Sequence, residues 1–256
     1  MSADDLARRR EFLKDSVRKQ TDFTTTDQSR GLPPPPIEKP PPPGAPRIGL
    51  PSFDEFAPLA HVDLLEAVSR RESRRRFSPA PLSLAELALL LWATQGVRRL
   101  VSPAVALRTV PSAGARHALE TYVCAHRVEG LEVAIYRYLP VEHELVLERL
   151  EPGLPARVTA ACFGQSFAGE AAATFFWTAL PYRMEWRYGA ASHKVIALDA
   201  GHVCQNLYLC CEAIGAGTCA IGAYDQEACD ALLGVDGQEE FTIYVAPVGK
   251  KAPGGG

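Results

Sequence analysis

The chain has 256 residues, 47% hydrophobic and 22% charged, with a formal net charge of -3. Such a composition fits a soluble globular protein with room for one large domain or two small ones. It excludes a membrane protein, because the longest apolar run, Leu87 to Ala93, is far shorter than the roughly 18 residues of a span; the slight acidity and lack of a second basic stripe argue against nucleic-acid binding.

Met1 to Gln20 is mostly charged and has no apolar signal region, so the sequence predicts a cytoplasmic protein. Ala3 to Lys19 reads as a charged helix with a sparse apolar stripe of Leu6, Phe12, Leu13 and Val17. From Leu32 to Pro51 the chain carries Pro33 to Pro36 and Pro40 to Pro43. That stretch predicts extended polyproline without helix or sheet, either a loose linker or a segment laid across the surface. The expected division is an N-terminal helix and proline-rich extension over 1–60 and a main domain over 61–256.

Val62, Leu64, Leu65 and Val68 mark a helix, and a second one starts at Ser83 with Glu86 three residues on, the capping-box pattern. Between them Arg70, Arg71, Arg74, Arg75 and Arg76 surround Ser73. A solvated charge run is one reading. The other is an anion site, where guanidinium forks and helix-end N–H groups converge on a phosphate. Pro111 to His117 is a loop of small residues, either a plain connector or a ligand-contacting segment.

Leu119 to Val128, Ala134 to Leu139 and Glu144 to Leu150 read as strands, the last two joined by a turn at Glu142-His143. Leu154 to Phe163 reads as a helix and Ala171 to Leu180 as a buried strand. Ser192 to Ile214 is the longest helix, with apolar faces that predict burial on most sides. Gly215 caps it, Thr218 to Ile221 is a short strand, and Phe241 to Val248 is the last one. Interleaving without strict alternation favours an α+β sheet.

The seven cysteines show no Cys-x-x-Cys spacing and are expected to be reduced and mostly buried. Asp199 and His202, three apart on the long helix, have no third ligand at metal spacing and read as a hydrogen-bonded pair on one helix face. Gly215 to Gly222 closes a helix and opens a strand, the reverse of a dinucleotide-binding loop. Small residues at Gly222 and Ala223 let a ligand ring approach the backbone.

Taken in order, several motifs resemble the nitroreductase-like FMN flavoproteins, and within them the SagB-type branch that includes azoline dehydrogenases. They are Phe12-Leu13-Lys14, Asp27-Gln28, Arg71 to Phe77, Pro111 to Ala115, Trp186-Arg187-Tyr188-Gly189, Asp199 to His202 with Gln205-Asn206-Leu207, Gly215 to Gly222 and Pro247-Val248-Gly249. The resemblance covers Phe12 to Gly249. It implies a nitroreductase-like α+β fold, a central, mostly antiparallel sheet flanked by helices, assembled as a homodimer.

By the same resemblance, Arg71, Ser73 and Arg75 hold FMN and Lys250 closes on its phosphate. Pro111, Ser112, Ala113 and Gly114 lie against the flavin from the partner subunit, and the backbone at Ile221, Gly222 and Ala223 meets the flavin near N5. Arg187 and Tyr188 stand where azoline dehydrogenases carry a Lys-Tyr pair, as catalytic candidates. Arginine stays protonated, so Arg187 fits substrate orientation and Tyr188 fits proton relay. The implied activity is an FMN-dependent oxidoreductase passing hydride through flavin N5 to or from a small-molecule or peptide substrate, with NAD(P)H a candidate donor. An NAD(P)H-dependent reductase of nitro or quinone compounds and a non-enzymatic flavin-binding scaffold are the alternatives.

Overall fold

The computed structural model describes residues 2–252. In chain order the helices and strands are α1 (Ala3–Arg10), β1 (Arg47–Gly49), α2 (Phe53–Phe56), α3 (Leu64–Arg70), α4 (Leu84–Gln95), β2 (Val97–Ser102), β3 (Val105–Arg108), β4 (Leu119–Ala125), β5 (Ala134–Leu139) and β6 (Glu144–Leu150). They continue with α5 (Leu154–Ala161), α6 (Ser166–Glu170), β7 (Ala173–Ala179), α7 (Tyr182–Tyr188), α8 (His193–Ala213), β8 (Ala216–Thr218), α9 (Gln226–Leu233) and β9 (Phe241–Lys250).

Seven strands form one sheet in the order β1-β6-β5-β4-β7-β9-β8, each neighbouring pair antiparallel. Strand side chains alternate between faces, and both faces are covered. Leu119, Val123, Phe175 and Trp177 pack with Leu87, Leu90, Ile196, Val203 and Leu207 of α4 and α8. Tyr122, Cys124 and Phe176 pack on the other side with Leu154, Val158 and Leu232 of α5 and α9. The result is the expected α+β architecture, an antiparallel sheet between helical layers. No helix of the described residues is long and apolar enough to cross a membrane.

Local signals are realised where they were strongest. The Ser83 hydroxyl accepts from Glu86 N at 3.2 Å while the Glu86 carboxylate accepts from Ser83 N at 2.9 Å, closing the capping box of α4. Gly215, at φ 65°, follows α8 in the left-handed conformation that ends helices. Other expectations are corrected. The N-terminal helix stops at Arg10, and 3-10 turns at Glu11–Leu13 and Ser16–Lys19 replace the rest, because Phe12 and Leu13 are exposed and have no core to dock on. The short strand after α8 is Ala216–Thr218, with Ile221 making one isolated bridge to Val245. Burial of α8 is one-sided: Ile196, Ala200, Val203, Leu207 and Cys211 face the sheet, while Leu198 remains 55% exposed.

The proline-rich stretch is laid across the surface, and one part of it does join the sheet. Arg47–Gly49 pairs with β6, whose backbone would otherwise be an open edge. Arginines hold the rest. Arg108 donates to the Ile37 carbonyl at 2.6 Å, and Arg137 donates to Lys39 O at 2.7 Å and Pro40 O at 3.1 Å. Proline lacks an N–H, so its segment offers carbonyl acceptors, which buried guanidinium groups can satisfy. Beneath it Glu120 pairs with Arg183 and Arg137, and Lys39 pairs with Glu240 at 2.6 Å.

Candidate active site

Two groups of residues stand out, one at each end of α8. The first is the arginine run. Ser73 bridges to Thr218 in parallel, and Arg74 N donates to Thr218 O at 2.9 Å, so the run extends the sheet edge beside β8. Gly217 makes this possible, because a Cβ there would fall 2.6 Å from Arg74 Cδ. The Arg74 side chain turns inward, pairing with Glu72 at 2.6 Å and approaching Glu212 at 3.9 Å.

Arg71 and Arg75 are differently disposed. The Arg71 guanidinium lies 5.3 Å over the Tyr208 ring and that of Arg75 lies 5.9 Å over Phe167. Among the described residues none of Arg71, Arg75 and Arg76 forms an ion pair.

The Ile221 to Ala223 segment lies beside this run. Ala220 N donates to Tyr208 Oη at 2.8 Å, and Tyr208 Oη is 2.9 Å from Ser73 Oγ, so one phenol ties the two segments together. Ile221 is buried, whereas Gly222 and Ala223 are exposed, with open space where a Gly222 side chain would stand. The Lys250 amine binds Glu86 and the Ile214 carbonyl, and Lys251 binds Glu212 at 2.5 Å.

The second group joins the Pro111 to Ala115 loop to Arg187 and Tyr188. Gly114 sits at φ 58°, and a Cβ on it would lie 2.6 Å from Tyr188 Oη and 3.0 Å from Arg187 Nε. Only glycine fits both the conformation and the space. The Arg187 guanidinium lies 5.5 Å over the Tyr188 ring, and Arg116 lies 4.8 Å over Trp186. Ser112 Oγ accepts from His117 N at 2.9 Å. Asp199 is buried beside the loop, and its Oδ2 has no hydrogen-bond partner among the described residues. Burial pushes its carboxyl up, against the polar pull of nearby Ser112, His202 and the Ala113 N–H. The expected Asp199–His202 hydrogen bond does not form among the described residues, because Asp199 faces inward while His202 is exposed.

Asp199 and Tyr208 are nine residues apart on α8, a rise of roughly 14 Å. No hydrogen bond or ion pair among the described residues links the two groups directly. Chemically the first suits an anionic cofactor: guanidinium groups without carboxylate partners, a serine hydroxyl, and exposed glycine backbone where a planar ring can approach. FMN, with its phosphate and its flat ring, fits those residues. Tyr208 and Phe167 escaped the sequence reading; the one available signal was a phenol in an apolar helix, which when buried needs a polar partner.

The Nitroreductase family profile matches residues 68–250. A Methanocaldococcus jannaschii protein provisionally named nitroreductase MJ1384 is 31% identical over 204 residues, covering 80% of this chain and 96% of the relative. The crystal structure of a provisionally named nitroreductase from Ralstonia eutropha aligns with TM-score 0.65 and 27% identity, over 86% of this chain and 99% of that one. One from Anabaena variabilis aligns with TM-score 0.67 and 25% identity over 82% of this chain, which spans 42% of that longer protein.

Proposed function

The chain belongs to the Nitroreductase family, and on that premise we propose that it is an FMN-dependent oxidoreductase of the SagB type, working as a homodimer on a small-molecule or peptide substrate. The observation that carries this reading is the pair Arg71 and Arg75, without carboxylate partners among the described residues and flanking Ser73 beside the exposed backbone of Gly222 and Ala223. Bound FMN supplies hydride transfer at N5. Arg71 and Arg75 bind the phosphate and stabilise negative charge at the pyrimidine edge, and Ser73 donates a hydrogen bond. Ile221, Gly222 and Ala223 present backbone to the ring.

Tyr188 holds a proton at its hydroxyl for relay to substrate, and Arg187 orients the substrate through its fixed charge. Because these residues and the Pro111 to Gly114 loop sit at the other end of α8 from the arginine run, a two-fold dimer is the simplest way to bring one subunit's loop onto the other's flavin. The exposed faces of α8, at Leu198, and of α3, at Leu64, Leu65 and Val68, supply apolar surface for that contact.

Arg187 favours a second reading. An arginine does not serve as a general base, so a reductase taking hydride from NAD(P)H and delivering it to a nitro or quinone compound fits this chain better than azoline oxidation. The visible spectrum of the purified protein, before and after NADPH, tests both. A flavin spectrum bleached by NADPH is the reductase outcome; a flavin that NADPH leaves oxidised points to the dehydrogenase. A colourless protein that takes up no FMN defeats the proposal.

A further inference from the structure

Tyr208 is the point at which the two segments of the proposed flavin site meet. Its oxygen lies 2.8 Å from Ala220 N and 2.9 Å from Ser73 Oγ, and its ring carries the Arg71 guanidinium. An amide N–H only donates, so Tyr208 Oη accepts from Ala220. A phenol is the stronger acid and better donor of the two hydroxyls, so the Tyr208 proton goes to Ser73 Oγ. The Ser73 hydroxyl proton is thereby turned outward, and among the described residues Ser73 Oγ has no hydrogen-bond partner other than Tyr208 Oη.

We propose that Tyr208 is a positioning residue for FMN: a one-way relay from Ala220 N–H through Tyr208 to Ser73 fixes Ser73 as a hydrogen-bond donor to the cofactor. The inference rests on the FMN reading above and adds to it a residue that touches no cofactor itself. Its consequence is coupling. Removing the phenol matters only while residue 73 carries a hydroxyl to be oriented.

The test uses the full chain stripped of flavin and titrated with FMN, read by quenching of flavin fluorescence. The variants are Tyr208→Phe, Ser73→Ala and Ser73→Thr, with each of the last two also combined with Tyr208→Phe. Tyr208→Phe keeps the ring under Arg71 and is expected to weaken FMN roughly fivefold to tenfold. In the Ser73→Ala background the same change is expected to have almost no effect, whereas Ser73→Thr, which keeps a hydroxyl, restores sensitivity to it. A merely structural role for Tyr208 would weaken binding equally in all three backgrounds and would overturn the relay. Wild-type affinity in Tyr208→Phe would also overturn it. In both cases the flavin reading survives, since it depends on FMN uptake by the wild type. Should Tyr208→Phe not fold, equal FMN affinity in Ser73→Ala and wild type overturns Ser73 as the donor, and a loss that Ser73→Thr recovers supports it. A wild type that takes up no FMN overturns both together.

Discussion

Gly114 rests directly against the Tyr188 phenol, so closely that a Cβ would lie 2.6 Å from Oη. The loop and the tyrosine therefore leave no room for a side chain at position 114. Gly114→Ala adds a side chain where φ is 58° and the space is filled, so it should displace Tyr188 and lower turnover by on the order of tenfold or more. Steady-state rates set beside FMN titration check this, with flavin affinity expected to change far less than turnover. Equal losses in both would show a general collapse of the loop.

Tyr188→Phe removes the proposed proton relay and keeps the ring that Arg187 covers. Turnover should fall on the order of a hundredfold with FMN still bound. Unchanged turnover would leave Tyr188 a packing residue. Arg187→Lys restores the Lys-Tyr pair of azoline dehydrogenases, and oxidation of an azoline substrate by that variant alone would locate the divergence at this position.

Arg71→Ala or Arg75→Ala should weaken FMN roughly tenfold to a hundredfold, the effect of losing one charge-assisted contact to a phosphate. The loss should shrink as salt rises, since both groups are only partly shielded from solvent. Riboflavin, which lacks the phosphate, should respond little to either change. Equal losses for FMN and riboflavin would remove the phosphate from the assignment.

Glu38 gives the fold a pH dependence. Burial, then the Glu142 carboxylate, raise its pKa from 4.5 to about 7 against the Val141 N–H, which bonds it at 3.0 Å; Glu120 adds to the rise. An acid whose pKa is raised by folding holds its proton more tightly in the native state. Its stabilisation is therefore complete below about pH 4.5 and is lost as pH climbs to about 7. Glu38→Gln mimics the protonated form. Melting profiles of the two proteins should agree near pH 4.5 and diverge by roughly 2–4 °C at pH 7, with the variant higher. Parallel profiles would show that Glu38 is not protonated in the folded strap.

The proposed homodimer predicts that dilution releases flavin together with subunit dissociation. Light scattering after size exclusion, run alongside flavin fluorescence, should give one midpoint for both processes. Replacing Leu198, 55% exposed on α8, with Glu should shift that midpoint to higher protein concentration. A monomer that keeps its flavin would overturn both the dimer and the shared site.

What the sequence by itself determined is what short-range physics controls. The short β-prone runs Ala134–Leu139 and Glu144–Leu150 around the Glu142-His143 turn set two strands to the residue, and Ser83 with Glu86 set the start of α4. The motifs pointing to the arginine run and to Gly114, Arg187 and Tyr188 were equally visible, as was their resemblance to one family. The short helices α6, α7 and α9 and the β2–β3 hairpin were not, because segments of this length are stabilised by packing more than by propensity. Only the tertiary structure decided that the proline-rich stretch is held down, since Arg108 and Arg137 reach it from 71 and 98 residues away. It likewise decided that Asp199 is buried while His202 is exposed, that Lys250 is bound by Glu86, and that Tyr208 joins Ser73 to Ala220 across 135 and 12 residues. Each of these depends on which polar groups are buried together. A buried donor or acceptor takes whichever partner the fold brings within about 3 Å, and sequence spacing carries no record of that choice.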